Sequence, residues 1–311
     1  MTRKPRIAIL GSVHMDLIAS TGRLPAPGES VGGSAFAMAP GGKGGNQAAQ
    51  CAALGAQAFM ITQFGDDLFG RALLASLKAK GIETGEVSIR AGMATGASTV
   101  FATPEDYSSI IYPGAAADME PDDVARRVAA LAPLDMLLLQ LEIPIALSLA
   151  AARAARDGGA RVVLNPSPAP RHGEADALLA LTSILVVNRV EAALILGRSV
   201  EESGIEAAAK DLGGMGPPLV IITLGREGSA AWDGEHFHRQ ASFSIVVADT
   251  VGAGDAFLGT LSLAIAEGLA LPDALRRASA AGAIAAGRTG ATAPTRADVD
   301  DFLLSQARRL Q

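Results

Sequence analysis

The chain has 311 residues, with 26 Lys and Arg against 32 Asp and Glu, and the formal net charge of -6 leaves no basic footprint for nucleic acid and no polybasic segment for an anionic membrane. The expected partner is therefore a small molecule, and the length suffices for a substantial core in one large domain or two unequal ones. The single cysteine, Cys51, excludes an intramolecular disulfide and any cysteine cluster, which suits a reducing compartment and a buried spectator role.

Arg3, Lys4 and Arg6 precede the apolar IAIL, but Gly11, Ser12, His14 and Asp16 end that run too early for a secretory signal, so it predicts a first β-strand. No uncharged apolar run reaches the roughly 18 residues of a membrane span, since Glu142 and Glu267 interrupt the two longest apolar stretches. A soluble, cytoplasmic protein is expected.

Along the chain, short apolar runs at 6–11, 58–63, 136–141, 161–165, 183–188 and 219–225 predict buried strands. Between them, 65–81 and 121–132 begin with acidic residues that complement the helix dipole, and the first ends at Gly81; both predict helices. This alternation predicts an α/β fold, a central mostly parallel sheet with helices on both faces. Residues 15–36 and 92–113 break the pattern with short strands and Gly/Pro turns. They are expected to form a small β-sheet lid inserted into a single domain over 1–311.

Two glycine-rich segments carry the chemistry. In PGGKGGNQAAQCAALG (40–55), glycines surround Lys43 and lead into a helix of small residues, so free N–H groups at a positive helix end would favour an oxygen-rich ligand. The segment lacks the Ser or Thr of a Walker A loop and is not GxGxxG, and a tight turn with close helix–strand packing explains the same glycines. In VADTVGAGDAFLG (247–259), Gly252, Ala253 and Gly254 can form a concave run of N–H groups before a helix from about Ala256. Asp255 would then stand at the mouth of an anion site. A carboxylate there makes sense as the acceptor of a proton from a hydroxyl attacking a phosphate. The alternative is an early-helix aspartate beside an unrelated turn residue, Asp249.

In this order, the two segments resemble the two signatures of the ribokinase-like (PfkB-type) carbohydrate kinases. The resemblance extends through GSVHMD, PAPGESV, GDDLFG, LQLEIP, LNPSPAP, NRVEA, TLGREG, DTVGAGDAF and AAGRTGA, and within the family it is greatest to the ribokinases. It implies Asp255 as catalytic base and the amides around Gly252, Ala253 and Gly254 as anion hole. It also implies Asp16, Gly42, Lys43, Asn46 and Glu142 as sugar-binding residues. Asn188 and Glu191 are implied in organising Mg²⁺ and phosphate, through water because Mg²⁺ keeps much of its hydration; read alone, the pair is a capping box. Thr223, Gly225, Gly228 and Gly254 match positions facing ATP.

The same resemblance implies a K⁺ site from Asp249, Val251, Ala285, Arg288 and Gly290, mostly through carbonyls, with Thr295 as a shifted closing ligand because GATAPT is one residue longer than the family's usual ending. His14 stands where many ribokinases carry a smaller polar residue, often Asn. It could donate to a sugar hydroxyl, crowd the pocket and change the sugar, or be a half-buried histidine hydrogen-bonded to backbone. The expectation is an ATP-dependent kinase acting on a primary hydroxyl, D-ribose to ribose 5-phosphate. The alternatives are a kinase for another sugar or a nucleoside, and a non-catalytic sensor. An exposed lid edge is expected to pair two chains as a homodimer.

Overall fold

The computed structural model describes residues 3–103, 107–201 and 204–309; residues 104–106, within the expected lid segment, lie outside them, as do 202–203 and the last two positions at each end. The first half contains β1 (Arg6–Leu10), β2 (His14–Ser20), β3 (Ala35–Gly41), α1 (Lys43–Ala53), β4 (Gln57–Gly65), α2 (Leu68–Ala79), β5 (Val87–Arg90), β6 (Thr95–Ala102), β7 (Tyr107–Gly114) and α3 (Pro121–Ala130). There follow β8 (Met136–Leu139), α4 (Ile145–Asp157), β9 (Arg161–Leu164), α5 (Asp176–Leu179), β10 (Ile184–Asn188), α6 (Arg189–Leu196) and α7 (Ile205–Gly214). The chain continues through β11 (Leu219–Thr223), β12 (Ser229–Trp232), β13 (Phe237–Gln240), α8 (Ala253–Ala266), α9 (Leu271–Ala286) and α10 (Arg296–Arg309).

The main sheet has nine strands in the order β13-β12-β11-β10-β9-β8-β1-β4-β5. From β11 to β5 every pairing is parallel, and β12 and β13 add an antiparallel edge. The six expected strands are β1, β4, β8, β9, β10 and β11. Alternation within a strand separates two cores. Ala8 and Leu10 of β1 join α3, α4, α6 and α7 through Val124, Leu147, Ile195 and Leu212. Ile7 and Ile9 face the other way, toward Ala48 of α1, Leu73 of α2, Leu261 of α8 and Ala278 of α9. Both faces are covered, which is why these parallel strands read as continuous apolar runs.

The lid is a four-stranded sheet ordered β3-β2-β6-β7, with β2 and β6 parallel and the outer pairs antiparallel. It draws on both expected segments but reaches further, since β3 runs to Gly41 and delivers the chain directly into α1. Across it, Met38 pairs with Leu17, Leu17 with Thr99 and Thr99 with Ile110, so these residues share one face. That face exposes Met38 (60%) and Ile110 (71%), with Phe36 (67%) and Tyr112 (51%) on the same side. Three strands, β5, β12 and β13, were not among those expected. Each has only four residues, too few to establish a period of two against the surrounding turns. Among the described residues no helix is long and apolar enough to cross a membrane.

Candidate active site

The carboxyl ends of β1, β8, β10 and β11 open on one edge of the parallel sheet, where the chain leaves the ladder and open α/β sheets form their ligand crevices. Ser12 follows β1 and Glu142 follows β8, while Asn188 and Thr223 are the last residues of β10 and β11.

At the β1–β8 side, Ser12 Oγ donates to Glu142 Oε2 in a very close bond, and the same oxygen accepts Lys43 N at 2.9 Å. Gly42 is the N-cap of α1 with φ 92°, and a Cβ there would lie 2.7 Å from Ser12 O, so only glycine allows this approach. Gly45 N donates to Ser12 O at 3.0 Å. The first-turn amides of Lys43 and Gly45 are thus satisfied by the protein itself. The glycines around Lys43 bring α1 against the loop after β1, as the packing reading expects, rather than leaving those two amides for an anion.

Asp16 Oδ1 accepts Ser98 Oγ at 2.7 Å and lies 3.1 Å from His14 Nε2. His14 is 5% exposed, its Nδ1 has no hydrogen-bond partner among the described residues, and it pairs in register with Gly41 beside the N-cap of α1. It is therefore buried and held by a carboxylate, not by backbone. Lid and sheet edge meet at this point.

Asp255 is only 6% exposed and sits in the first turn of α8, which begins at Ala253, three residues earlier than expected, because Gly252 adopts φ 77° and acts as N-cap. A Cβ on Gly252 would meet Ala291 Cα at 2.9 Å, whereas one on Gly254 would meet nothing within 4 Å. The N-terminus of α8 is thus closed on the Ala291 side and open at Gly254. Of the three expected anion-hole residues, Ala253 already donates its N–H to Thr250 O at 3.3 Å. Asp255 Oδ2 accepts Asn46 Nδ2 at 3.1 Å, and Oδ1 accepts Gln47 Nε2 at 3.0 Å. Burial pushes its carboxyl above the usual range; Lys43, Gln47 and Asn46 pull it down, and Glu142 pushes it up.

On the other side of the edge, Asn188 caps α6: Asn188 Oδ1 accepts Glu191 N at 2.8 Å, and Glu191 Oε2 accepts Asn188 N at 2.8 Å, a complete capping box. Thr223 pairs in register with Asn188, and its hydroxyl donates to Val187 O at 3.3 Å. Gly225 opens a 3-10 turn that ends at Gly228, whose carbonyl accepts Leu224 N at 2.8 Å. These residues form a group of their own at the ends of β10 and β11.

Asp249 joins two loops, accepting Val251 N at 3.0 Å on Oδ1 and Gly290 N at 2.9 Å on Oδ2. The Ala285 carbonyl accepts Arg288 N at 3.0 Å, and the Arg288 side chain reaches Asp298 at 3.1 Å. Thr295, the expected closing ligand, stands immediately before α10. Its N and Oγ1 both donate to Asp298 Oδ2 at 2.8 Å, ahead of α10.

Ser12, Gln47, Ser98 and Gln140 were not singled out from the sequence. A signal existed for two of them: Gln140 interrupts the apolar MLLLQL, and Gln47 lies among the small residues of α1. A buried amide in such a run needs a partner, but the sequence does not name the partner.

The family model for pfkB family carbohydrate kinases matches residues 4–298. The chain is 33% identical over 300 residues to the ribokinase of Bacillus subtilis (strain 168), covering 96% of this chain and 99% of that one. It is 33% identical over 256 residues to the deoxyribokinase of Salmonella typhimurium (strain LT2), covering 81% and 83%. The structure of Arabidopsis thaliana ribokinase complexed with ribose and ATP superposes with a TM-score of 0.86 at 28% identity, covering 97% of this chain and 99% of that one. With its parallel sheet, four-stranded lid and buried Asp255 at the start of α8, this chain belongs to the pfkB family of carbohydrate kinases.

Proposed function

We propose that the protein transfers the γ-phosphoryl group of ATP to the primary hydroxyl of D-ribose, giving ribose 5-phosphate and ADP. The observation that carries this reading is Asp255, a buried carboxylate in the first turn of α8, beside Asn46, Lys43 and Glu142. Asp255 Oδ2 accepts the proton of the ribose hydroxyl as the hydroxyl oxygen attacks the γ-phosphorus, and the bond to ADP breaks. A carboxyl raised by burial is a better proton acceptor at neutral pH than an exposed one. The N-terminus of α8 at Gly252, Ala253 and Gly254, open at Gly254, stabilises the transferred charge, where positioning and electrostatics do most of the work. Asp16, His14, Gly42, Lys43, Asn46 and Glu142 hold and orient the sugar, and lid closure excludes water from the reacting phosphate. Asn188, Thr223, Gly225 and Gly228 form the nucleotide side.

Among the described residues no group of three or more His, Cys, Asp or Glu side chains gathers to hold a metal ion. Mg²⁺ would be carried on the ATP phosphates with much of its water retained, and Glu191, whose Oε2 is engaged in the cap, would be an outer partner through water. When bound, the ion neutralises phosphate charge. For K⁺, the Asp249 carboxylate and the carbonyls of Val251, Ala285, Arg288 and Gly290 are hard oxygen donors at the end of α9 and on two loops tied together by Asp249, and Thr295, whose hydroxyl gives its proton to Asp298, keeps an oxygen lone pair with which to join them.

The exposed row of Phe36, Met38, Ile110 and Tyr112 supports a homodimer through the lid. Light scattering of Met38→Asp/Ile110→Asp tests it; a monomer is expected from the pair if the native protein is a dimer. The reducing cytoplasm is the compartment that suits a lone buried thiol.

His14 favours a second reading, a different acceptor on the same scaffold, because its buried ring stands against the Asp16 carboxylate. Coupled ADP release with MgATP and a panel of pentoses, hexoses and nucleosides, in K⁺ and in Na⁺, tests both. Ribose-dependent turnover stimulated by K⁺ is expected. Turnover of another acceptor would select the second reading, and silence across the panel would point to a sensor.

A further inference from the structure

Behind Asp255 lies a polar chain that the roles above leave unused. Gln47 Nε2 donates to Asp255 Oδ1 at 3.0 Å, and Gln47 Oε1 in turn accepts Gln140 Nε2 in a very close bond. Both glutamines are 0% exposed. Among the described residues Gln140 Oε1 has no partner, and it lies against the backbone of Gly11, where a Cβ would stand 1.9 Å from it. Gly11 is therefore the residue that lets Gln140 lie across the end of β1.

A buried amide is costly unless bonded, and two in series at the heart of the sheet edge call for a reason. The chain has a direction. A carboxamide has one donor end and one acceptor end. With the NH₂ of Gln140 pointed at Gln47, the Gln47 oxygen must face Gln140, and its own NH₂ must face the carboxylate. Reversed, it would set oxygen against the oxygen of Asp255.

We propose that Gln47, oriented by Gln140, is a positioning residue that ties down Asp255 Oδ1, leaves the acceptor hydroxyl to Oδ2 beside Asn46, and keeps the buried carboxylate ionised. The proposal rests on the reading of Asp255 as proton acceptor. The charged groups facing Asp255 are Lys43 at the start of α1, which favours the anion, and Glu142 beyond β8, which opposes it. Without the Gln47 N–H, burial and Glu142 are countered by Lys43 and Asn46 alone.

The test is the pH profile of kcat/KM in Gln47→Met and Gln140→Met, with folding checked by cooperative melting and ATP affinity by calorimetry. In Gln47→Met the acid limb should move up by about one pH unit, the scale of one lost hydrogen bond to a charged group. Gln140→Met should move it the same way by less. A limb in its native place, with kcat lowered evenly at all pH values, would mean a structural role only and would overturn the proposal. Should the variants not fold, the ¹⁵N side-chain resonance of Gln47 in the unaltered protein should titrate with Asp255, and one that stays fixed across the acid limb would overturn it equally. That readout needs no turnover. Absence of sugar-dependent ADP release would remove the kinase reading, whereas an active kinase with a fixed Gln47 resonance would remove this inference alone.

Discussion

Asn46 Nδ2 and Asp255 Oδ2 lie 3.1 Å apart although 209 positions separate them in the chain. The contact exists because α1 and α8 pack side by side on one face of the sheet, so closely at Gly259 that a Cβ there would meet Gln50 Cβ at 2.8 Å. The two glycine-rich segments are thereby joined at one carboxylate.

Asp255→Asn should lower kcat by about 10² to 10⁴-fold, the scale of general-base loss, with ATP affinity retained. Its stability carries a sign. Burial raises the folded carboxyl pKa, so the ionised group costs stability as pH rises from the unfolded pKa through the folded one. The asparagine variant should therefore gain in melting temperature relative to wild type between pH 4 and pH 7. Near-native turnover would rule out the assigned role, and a relative melting temperature independent of pH would rule out the raised pKa.

Asp67 links α2 to the lid. Oδ1 accepts Gly70 N at 2.8 Å and Thr95 Oγ1 at 2.7 Å, and Oδ2 accepts Thr95 N at 2.8 Å. Burial would raise this carboxyl, but the bonds from Thr95 and Gly70 and the Arg71 charge outweigh it and hold it below its ordinary value. Its contribution is thus present above the unfolded carboxyl pKa of about 3.9 and fades as pH falls through the folded value. Asp67→Ala should cost about 1–2 kcal/mol at pH 7. Urea unfolding at pH 7 and pH 3 checks it, since an equal loss at both would exclude an ionised cap.

His14→Asn removes the ring that holds Asp16 Oδ1 from 3.1 Å. The expected outcome is a change of about tenfold in the ratio of kcat/KM for ribose over 2-deoxyribose, the scale of a modest change in pocket contacts. An unchanged ratio would show that His14 supports the lid and takes no part in acceptor choice.

Cys51 is fully buried, its Sγ lies 3.7 Å from Gly259 O, and burial pushes the thiol up to about 12. A thiol reagent at pH 8 should leave the folded protein unlabelled and modify one thiol in denaturant. Rapid labelling of the native protein would contradict the α1–α8 packing.

Most of the main sheet was legible from short apolar runs, since a strand buried on both faces carries its signal in its own residues. The two glycine-rich turns into helices were legible too, and Gly42 and Gly252 are the N-caps of α1 and α8. α8 starts at Ala253, three residues before the expected Ala256, because Gly252 in the left-handed region is its N-cap. Thr295 was expected to close a cation loop, and three residues on stands Asp298, which takes both its N–H and its hydroxyl hydrogen bond. Ser12, Ser98, Gln47 and Gln140 escaped notice because a polar side chain does not announce its partner.

By itself the sequence determined the α/β layering, the lid segments and the two glycine-rich turns, all of which follow from periodicity and local backbone preference within a few residues. Only the tertiary structure decided that Glu142 takes the Lys43 amide, that His14 holds Asp16, and that Gln140 orients Gln47 toward Asp255. Those contacts join residues from different strands and helices. Hydrogen bonds are directional and short-ranged, and their partners exist only after the sheet edges and helix ends have been brought together.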